Sequence, residues 1–299
     1  MKRRQYLALT GIGGLGLAFG SHRYLAVQYP LKYQACADFP SPTSLPELNF
    51  VAVGDVGTGD NHQYSVAKSI SCYYHAQAFS LVLLTGDNIY SYGEISKIHP
   101  TFEIPYQDLL TNQVEFYAAL GNHDIVSNQG IDQINYPKFH MKGRYYTFTK
   151  KNVQFFALDT NPEAPWQEQL DWLEANLAAS SKPWKIVFGH HQVYASGKRG
   201  INPELIPRLT PLFSRYGVQL YLNGHEHHYE RTIPIKGTTY LTCGAGGAEL
   251  RPVGKSNWTA YAISRLSFAA IAAYSNHLEI LGIDNHGKIL DRAIIKLEK

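Results

Sequence analysis

Short apolar segments that end in clusters of glycine and polar residues are the feature that most constrains this chain. Five such clusters occur along it: Gly54-Asp55-Val56-Gly57, Gly86-Asp87-Asn88-Ile89-Tyr90, Gly121-Asn122-His123-Asp124, Gly189-His190-His191 and Gly224-His225-Glu226-His227. The apolar segment before each cluster predicts a buried strand. Because ligands of α/β proteins collect at the carboxyl ends of strands, we expect all five clusters to converge on one site.

The remaining pattern places these strands in an α/β fold. Buried strands are predicted over 50–53, 81–84, 115–120, 153–158, 185–188 and 218–222. Leucines at helical spacing after Trp166 predict a helix that ends before Pro183, and a second helix is predicted over 203–216. The tail over 268–297 predicts two strands around the turn sequence at 284–287. Strands that alternate with helices in this way indicate α/β layers with mixed sheets.

Composition and charge are those of an ordinary globular enzyme domain. The 299 residues are 44% hydrophobic and 17% charged, and the formal net charge is +3. Four basic residues precede residue 29, where there are no acids, so removing their charges leaves −1 for the rest of the chain. A near-neutral body lacks the concentrated basic face of a nucleic-acid-binding protein, and we expect no such partner.

The first 28 residues are typical of an export signal. Arg3 and Arg4 stand ahead of an apolar, glycine-rich run over 7–19, which is too short to span a bilayer comfortably. The pattern resembles a twin-arginine signal, with an ordinary leader or an uncleaved N-terminal anchor as alternatives. We predict a proline-interrupted linker over 29–48 and a catalytic domain over 49–299. The protein would then use the export machinery and work in the periplasm or extracellular space, free or anchored at the membrane.

The cysteines give no indication of a disulfide framework. There are three of them, Cys36, Cys72 and Cys243, and an odd, small number argues against systematic pairing. Cys36 also lies too far beyond the apolar run to be a good lipidation site. We therefore expect Cys36 to be buried or to carry a free thiol.

In this order, the five clusters resemble the motifs of the calcineurin-like metallophosphoesterase family, and within it those of the small purple acid phosphatases. The similarity extends from about Phe50 to the terminal strands. The broader family commonly has a histidine at the place of Gly57, whereas here Tyr90 follows Asp87 by three residues, which is the purple acid phosphatase pattern. The resemblance implies a four-layer α/β/β/α sandwich with two mixed β-sheets, and we expect a monomer.

The resemblance also implies a binuclear metal centre. Its seven ligands would be Asp55, Asp87, Tyr90, Asn122, His190, His225 and His227. Asp55, Tyr90 and His227 would bind a ferric ion, for which carboxylate and phenolate oxygens are suitable. The amide and the other two imidazoles would bind a divalent ion, Fe, Zn or Mn, and Asp87 would bridge the two metals.

The implied activity is hydrolysis of small-molecule phosphomonoesters by a hydroxide that the metals activate. His123 would contact the phosphate and help to protonate the leaving alcohol, which makes it the predicted catalytic residue. Asn122 and Arg199 are predicted to contact the substrate as well. For Lys198 and Arg199, binding of an anion and plain solvation in a loop remain alternatives.

Two other functions remain open at this point. One is a phosphodiesterase or nucleotide hydrolase with Zn or Mn at the same site. The other is an exported metal-binding or phosphate-sensing protein without turnover. His191 is expected to pack or to support the ligands, and His228 to lie at the surface or support them.

The chain departs from the animal tartrate-resistant enzymes in three places. Ile125 and Arg199 stand where those enzymes carry histidines, which leaves substrate recognition open. The segment over 161–167 is too short for their long regulatory loop. We therefore expect no proteolytic activation.

Overall fold

The structure, a computed structural model, describes Cys36, Phe39 and residues 44–297. Its strands are β1 (Leu48–Val53), β2 (Leu81–Leu84), β3 (Glu115–Ala118), β4 (Tyr146–Lys150), β5 (Val153–Ala157), β6 (Trp184–Phe188), β7 (Leu220–Asn223), β8 (Tyr229–Thr232), β9 (Thr239–Cys243), β10 (Thr259–Ile263), β11 (Ser267–Ala273), β12 (His277–Asp284) and β13 (Ile289–Lys296). Its helices are α1 (Asn61–Ala76), α2 (Gln107–Thr111), α3 (Ile131–Ile134), α4 (Trp166–Ala179) and α5 (Leu205–Tyr216), with short helical turns at Ile95–Lys97, His99–Glu103, Asn128–Gly130 and Pro137–Phe139.

Two mixed sheets lie at the centre of the fold. The first has the order β13-β12-β11-β1-β2-β3, and the second has the order β10-β8-β9-β7-β6-β5-β4. In the first sheet β1, β2 and β3 are parallel, so that Val51 pairs with Val82 and Val82 with Phe116. In the second, β5, β6, β7 and β9 are parallel. The five predicted clusters follow five of these parallel strands.

Apolar packing orders these elements into four layers. Between the sheets, the rings of Phe50 and Phe155 meet edge to face with their centroids 5.2 Å apart. Ile70 of α1 packs in the apolar cluster on the outer face of the first sheet. Leu173 of α4 and Phe213 of α5 pack in the cluster on the outer face of the second. The predicted α/β/β/α sandwich with two mixed sheets is confirmed.

Most predicted elements lie within a few residues of the observed ones, and the tail is the exception. Two strands were expected over 268–297, whereas β11, β12 and β13 all fall in this region. The turn at 284–287 joins β12 to β13 as predicted. The additional strand, β11, is mostly buried and pairs with β1 over Leu48–Ala52, so it joins the tail to the first sheet.

The expectation of no disulfide is wrong. Cys36 is bonded to Cys72 of α1, with their Cα atoms 5.3 Å apart, and Cys243 is the buried free thiol. The ring of Phe39 packs edge to face on Tyr73, 5.2 Å away, so both Cys36 and Phe39 lie against α1. An odd count of cysteines is compatible with one pair plus one buried thiol, which the expectation overlooked.

The predicted leader over 1–28 lies outside the described residues, as does most of the linker over 29–48, and both stay predictions. Within the described part of the chain, no helix has the length and apolar character needed to cross a membrane.

Candidate metal centre

The ends of five parallel strands bring the predicted ligands to one point between the two sheets. Asp55 follows β1, Asp87 follows β2, Asn122 follows β3 and His190 follows β6. The Gly224-His225-Glu226-His227 cluster follows β7. Because all five strands run in parallel within their sheets, their carboxyl ends face the same edge, and all seven predicted ligands lie in one connected set of contacts.

Oxygen donors and one imidazole form the first half of this set. The Tyr90 hydroxyl lies 3.1 Å from Asp55 Oδ1 and 2.9 Å from Asp87 Oδ2. His227 Nε2 lies 3.2 Å from Asp55 Oδ1. Two carboxylates, a phenol and an imidazole are therefore in direct contact, which concentrates negative charge and lone pairs in a small volume.

Imidazoles and an amide form the second half. His190 Nε2 lies 3.1 Å from the Asn122 side-chain oxygen and 3.0 Å from His225 Nδ1. The same nitrogen is 3.4 Å from Asp87 Oδ1. The Asp87 carboxylate thus contacts side chains of both halves, Tyr90 on one side and His190 on the other.

Backbone carbonyls orient two of the imidazoles. His190 Nδ1 lies 2.9 Å from the Thr85 carbonyl, and His227 Nδ1 lies 2.7 Å from the Glu249 carbonyl. Since a carbonyl can only accept, each Nδ1 carries a proton and each Nε2 is left facing the cluster with a free lone pair when the ring is neutral. Metal-binding histidines in proteins are commonly held in this way.

The electrostatics of the cluster favour a cation. Burial and the neighbouring carboxylates of Asp55 and Asp87 raise the pKa of Tyr90 well above its ordinary value. Burial alone would lower the pKa of His190, but Asp87 and Asp55 outweigh it and raise that pKa to about 9. A buried imidazole with such a raised pKa indicates a strong demand for positive charge at this point.

The donor set fits metal ions. Carboxylate oxygens of Asp55 and Asp87 and a ring nitrogen of His190 all lie within 4.8 Å of one another, and all three residues are buried. Phenol and carboxylate oxygens suit a hard trivalent ion, and imidazoles with an amide oxygen suit a divalent transition metal. The prediction of a metal-binding site is confirmed by this group of side chains.

Strained backbone marks the same residues. Asp55, Asp87 and His225 have φ values of 57°, 53° and 66°, in the left-handed region that residues other than glycine seldom adopt. Such conformations persist only where the surrounding structure imposes them, and they are concentrated at functional sites. Here they turn each side chain sharply out of its strand end and toward the centre.

Asp124 holds two ligand loops together, a role that the sequence reasoning missed. Its fully buried carboxylate accepts the backbone N–H of Asn88, Ile89 and Gly121, at 2.8–3.1 Å. It also accepts the side-chain amides of Asn88 and Gln133. Burial, followed by the charge of Asp87, raises its pKa to about 6. The loops after β2 and β3 are therefore joined through one carboxylate.

His123 lies at the mouth of the centre, where its side chain is 37% exposed. Its backbone N–H donates to Asp87 Oδ1 at 3.0 Å, and its Nδ1–H donates to the Ser91 carbonyl at 2.6 Å. Nε2 is left 4.0 Å from Asp87 Oδ2, and the ring rests edge-on against that of Tyr90. The ring is therefore fixed, and its free nitrogen is the one nearer the ligands.

A cleft of about 960 Å³ opens beside His225 and Asn122. Arg199 is exposed and lines it, and its guanidinium has no hydrogen-bond or ion-pair partner among the described residues. Lys198 is exposed too but does not line the cleft. His191 also lines it, and burial, together with His190, lowers the pKa of His191 to about 3.

The cluster of metal-binding residues and the two-sheet fold together define a metal-dependent phosphoesterase. The calcineurin-like phosphoesterase family model matches residues 48–229, and the chain belongs to that family. Human tartrate-resistant acid phosphatase type 5 is 30% identical over 239 residues, 67% of this chain and 73% of that protein. Purple acid phosphatase 7 of Arabidopsis thaliana is 28% identical over 236 residues, 68% and 71% of the two chains.

Structural comparison agrees with the sequence matches. The purple acid phosphatase PPD1 from yellow lupin seeds superposes with a TM-score of 0.72 at 19% identity, covering 87% of this chain and 55% of that one. The predicted resemblance is confirmed, and so is the prediction of a phosphoric monoester hydrolase, by the family match and the relatives named acid phosphatases.

Proposed function

We propose that this protein hydrolyses phosphomonoesters at a centre of two metal ions, one ferric and one divalent. The observation that carries the proposal is the contact of all seven predicted ligands in one cluster at the strand ends: Asp55, Asp87, Tyr90, Asn122, His190, His225 and His227. No other group of His, Cys, Asp or Glu side chains in the described residues is arranged to bind a metal.

The contacts support a division of the ligands into two sets. Tyr90 and His227 contact Asp55, whereas His190 contacts Asn122 and His225, and the Asp87 carboxylate contacts side chains of both sets. Asp55 contacts the second set through the backbone alone, where it accepts the His225 N–H at 2.9 Å. We assign the first set to ferric iron because it contains the phenol, and the second to a divalent ion, Fe, Zn or Mn. When bound, the two ions would activate water for attack on phosphorus and neutralise phosphate charge.

His123 would assist departure of the alcohol. With Nδ1–H fixed on the Ser91 carbonyl, the protonated ring would present Nε2–H toward an ester oxygen at the mouth of the centre. Asn122, beside His190, and Arg199, on the cleft wall, would contact the phosphate. Arg199 suits this role because its guanidinium is unpaired among the described residues and can bind a phosphate through two N–H groups.

We also propose that the protein works in an oxidising compartment outside the cytoplasm, as a monomer that its leader directs to the export machinery. The Cys36–Cys72 disulfide supports this, since disulfides persist in the periplasm and extracellular space and are rare in the cytosol. The arginine pair at Arg3-Arg4 is the basis for the proposed route.

One experiment tests the metal assignment and the activity together. Protein purified from its export compartment is analysed for metals, by absorption spectroscopy and with a phosphomonoester. We expect about two metals including iron, a visible band from the phenolate bound to ferric iron, and loss of that band in Tyr90→Phe. Tyr136→Phe is the matched control, because Tyr136 also donates to a carboxylate, Glu103, at 2.7 Å, outside the cluster.

Two results would count against the proposal. A colourless but active zinc or manganese protein would replace the ferric assignment with that of a general metallophosphoesterase and leave Tyr90 as a packing residue. A protein with full metal content and no hydrolysis of phosphomonoesters or phosphodiesters would remove the proposed activity.

A further inference from the structure

In the segment that follows β7, successive side chains point to opposite sides of the backbone. His225 and His227 face the metal cluster. The side chains between and after them, Glu226, His228 and Glu230, are at most 1% exposed and lie on the opposite side. Burying two carboxylates is costly unless each is paired or hydrogen-bonded, so their partners indicate what they do.

Both carboxylates bind the backbone of the loop over 196–199. Glu226 Oε1 accepts a short hydrogen bond from the Arg199 N–H. Glu230 Oε2 accepts the Ser196 N–H at 2.7 Å. His228 lies between them, with Nε2 3.2 Å from Glu230 Oε2 and Nδ1 4.0 Å from Glu226 Oε2. The loop is therefore attached at two points, three residues apart, to the segment that carries two metal ligands.

The packing leaves little freedom at the attachment. A Cβ atom at Gly197 would lie 2.4 Å from the His228 ring and 2.9 Å from Glu226 Cδ, so only glycine allows the loop to approach this closely. The loop is also paired on its other side, where Gly197 bridges to Val253. Its backbone is thus fixed, while the Arg199 side chain extends into the cleft.

We propose that Glu226 is a positioning residue for substrate binding. By accepting the Arg199 N–H, Glu226 fixes the backbone that carries the guanidinium on the cleft wall, so that the phosphate of the substrate meets a charge held in this part of the cleft. Preorganisation of this kind improves affinity because the loop need not be ordered on binding. The inference rests on the proposed function, since it assumes that the cleft admits a phosphate group.

The test measures binding of inorganic phosphate by calorimetry to the metal-loaded protein, with metal content and the free energy of unfolding determined for each variant. We expect Arg199→Ala and Glu226→Ala each to weaken phosphate binding by about tenfold, the loss of one charged contact. The double variant should be no weaker than Arg199→Ala alone, because Glu226 acts through Arg199. Metal content should be unchanged.

Two further variants separate positioning from general damage to the fold. Glu226→Gln keeps a carbonyl oxygen that can accept the Arg199 N–H, so it should bind phosphate within about twofold of the wild type. Glu174→Ala is the control, because Glu174 also accepts hydrogen bonds, from Arg215 and Tyr216, and none of these three residues lines the cleft. It should leave phosphate binding unchanged.

Four outcomes would overturn the inference alone, and three of them concern the alanine variants: unchanged phosphate affinity in Glu226→Ala, additive losses in the double variant, or loss of metal in Glu226→Ala. The third would assign Glu226 to support of the metal ligands. Glu226→Gln with full metal content and tenfold weaker binding would also contradict it. If the wild type neither binds phosphate nor hydrolyses a phosphomonoester, the proposed function fails as well, and the two failures are thereby distinguished.

Discussion

Replacing Asp124 with asparagine tests how the metal centre is held together. Oδ2 of Asp124 accepts the Gly121 N–H and the Asn88 side-chain amide, while Oδ1 accepts the Ile89 N–H and the Gln133 side-chain amide. Asparagine presents a single carbonyl oxygen, so in either orientation two of these four donors lose their acceptor. At roughly 1–3 kcal/mol for each buried unsatisfied donor, the free energy of unfolding should fall by about 2–6 kcal/mol.

Urea unfolding of the metal-free protein measures this change without a contribution from lost metal binding. Asp171→Asn is the control, because Asp171 is exposed and accepts one hydrogen bond from Gln167; its change should stay within about 0.5 kcal/mol. Loosened loops should also separate Asp87 from Asn122, so metal content and hydrolysis should decline together. If Asp124→Asn were no less stable than the control, the count of lost hydrogen bonds would be wrong as an account of this residue.

Three other perturbations give distinct results. Cys36→Ser opens a loop with a sequence separation of 36 and should lower the free energy of unfolding by about 4 kcal/mol in urea titrations; a loss below about 1 kcal/mol would contradict the loop-closure argument. A hydrogen bond from Tyr136, with other donors, holds the pKa of Glu103 at about 2. The free energy of unfolding should therefore fall as pH falls from about 4.5 toward 2, and in Glu103→Gln it should fall less steeply over that range. Gly57→Ala would place a methyl group 2.4 Å from the backbone of the loop that follows β2, so elemental analysis should show less bound metal. Gly254→Ala, with its nearest contact at 3.4 Å, should keep its metal. Equal metal content in both variants would refute the steric argument.

The five strands that precede the clusters could be predicted because each is a mostly apolar run that is followed within three residues by glycine. β1, β2 and β6 are buried on both faces, and their mostly apolar sequences predict this burial without knowledge of the fold. Strands such as β8 (Tyr229–Thr232) and β10 (Thr259–Ile263) were not predicted. They are short, their side chains are partly polar or partly exposed, and pairing with neighbours decides their conformation.

The disulfide and the buried acids could not be predicted for a different reason. The pairing of Cys36 with Cys72 joins residues 36 apart in the sequence, and no local pattern records such a contact. His228 was expected to support ligands or to lie at the surface, yet it is fully buried beside Glu226 and Glu230. Burial of charged residues follows from tertiary partners rather than from their own character, so a single sequence gives little warning of it.

The absence of a side chain at Gly57 and the presence of Tyr90 are structurally linked. The Gly57 N–H donates to the Asp87 carbonyl at 3.1 Å, and the Tyr90 N–H donates to the Gly57 carbonyl at 2.8 Å. The backbone after Asp87 therefore crosses directly over Gly57, where any Cβ would meet Asn88 at 2.4 Å. The backbone path that places the Tyr90 hydroxyl beside Asp55 also leaves no space for a side chain at position 57. A histidine at position 57 would displace the loop that holds the Tyr90 phenol, so the absence of a side chain at Gly57 and the position of Tyr90 depend on one another.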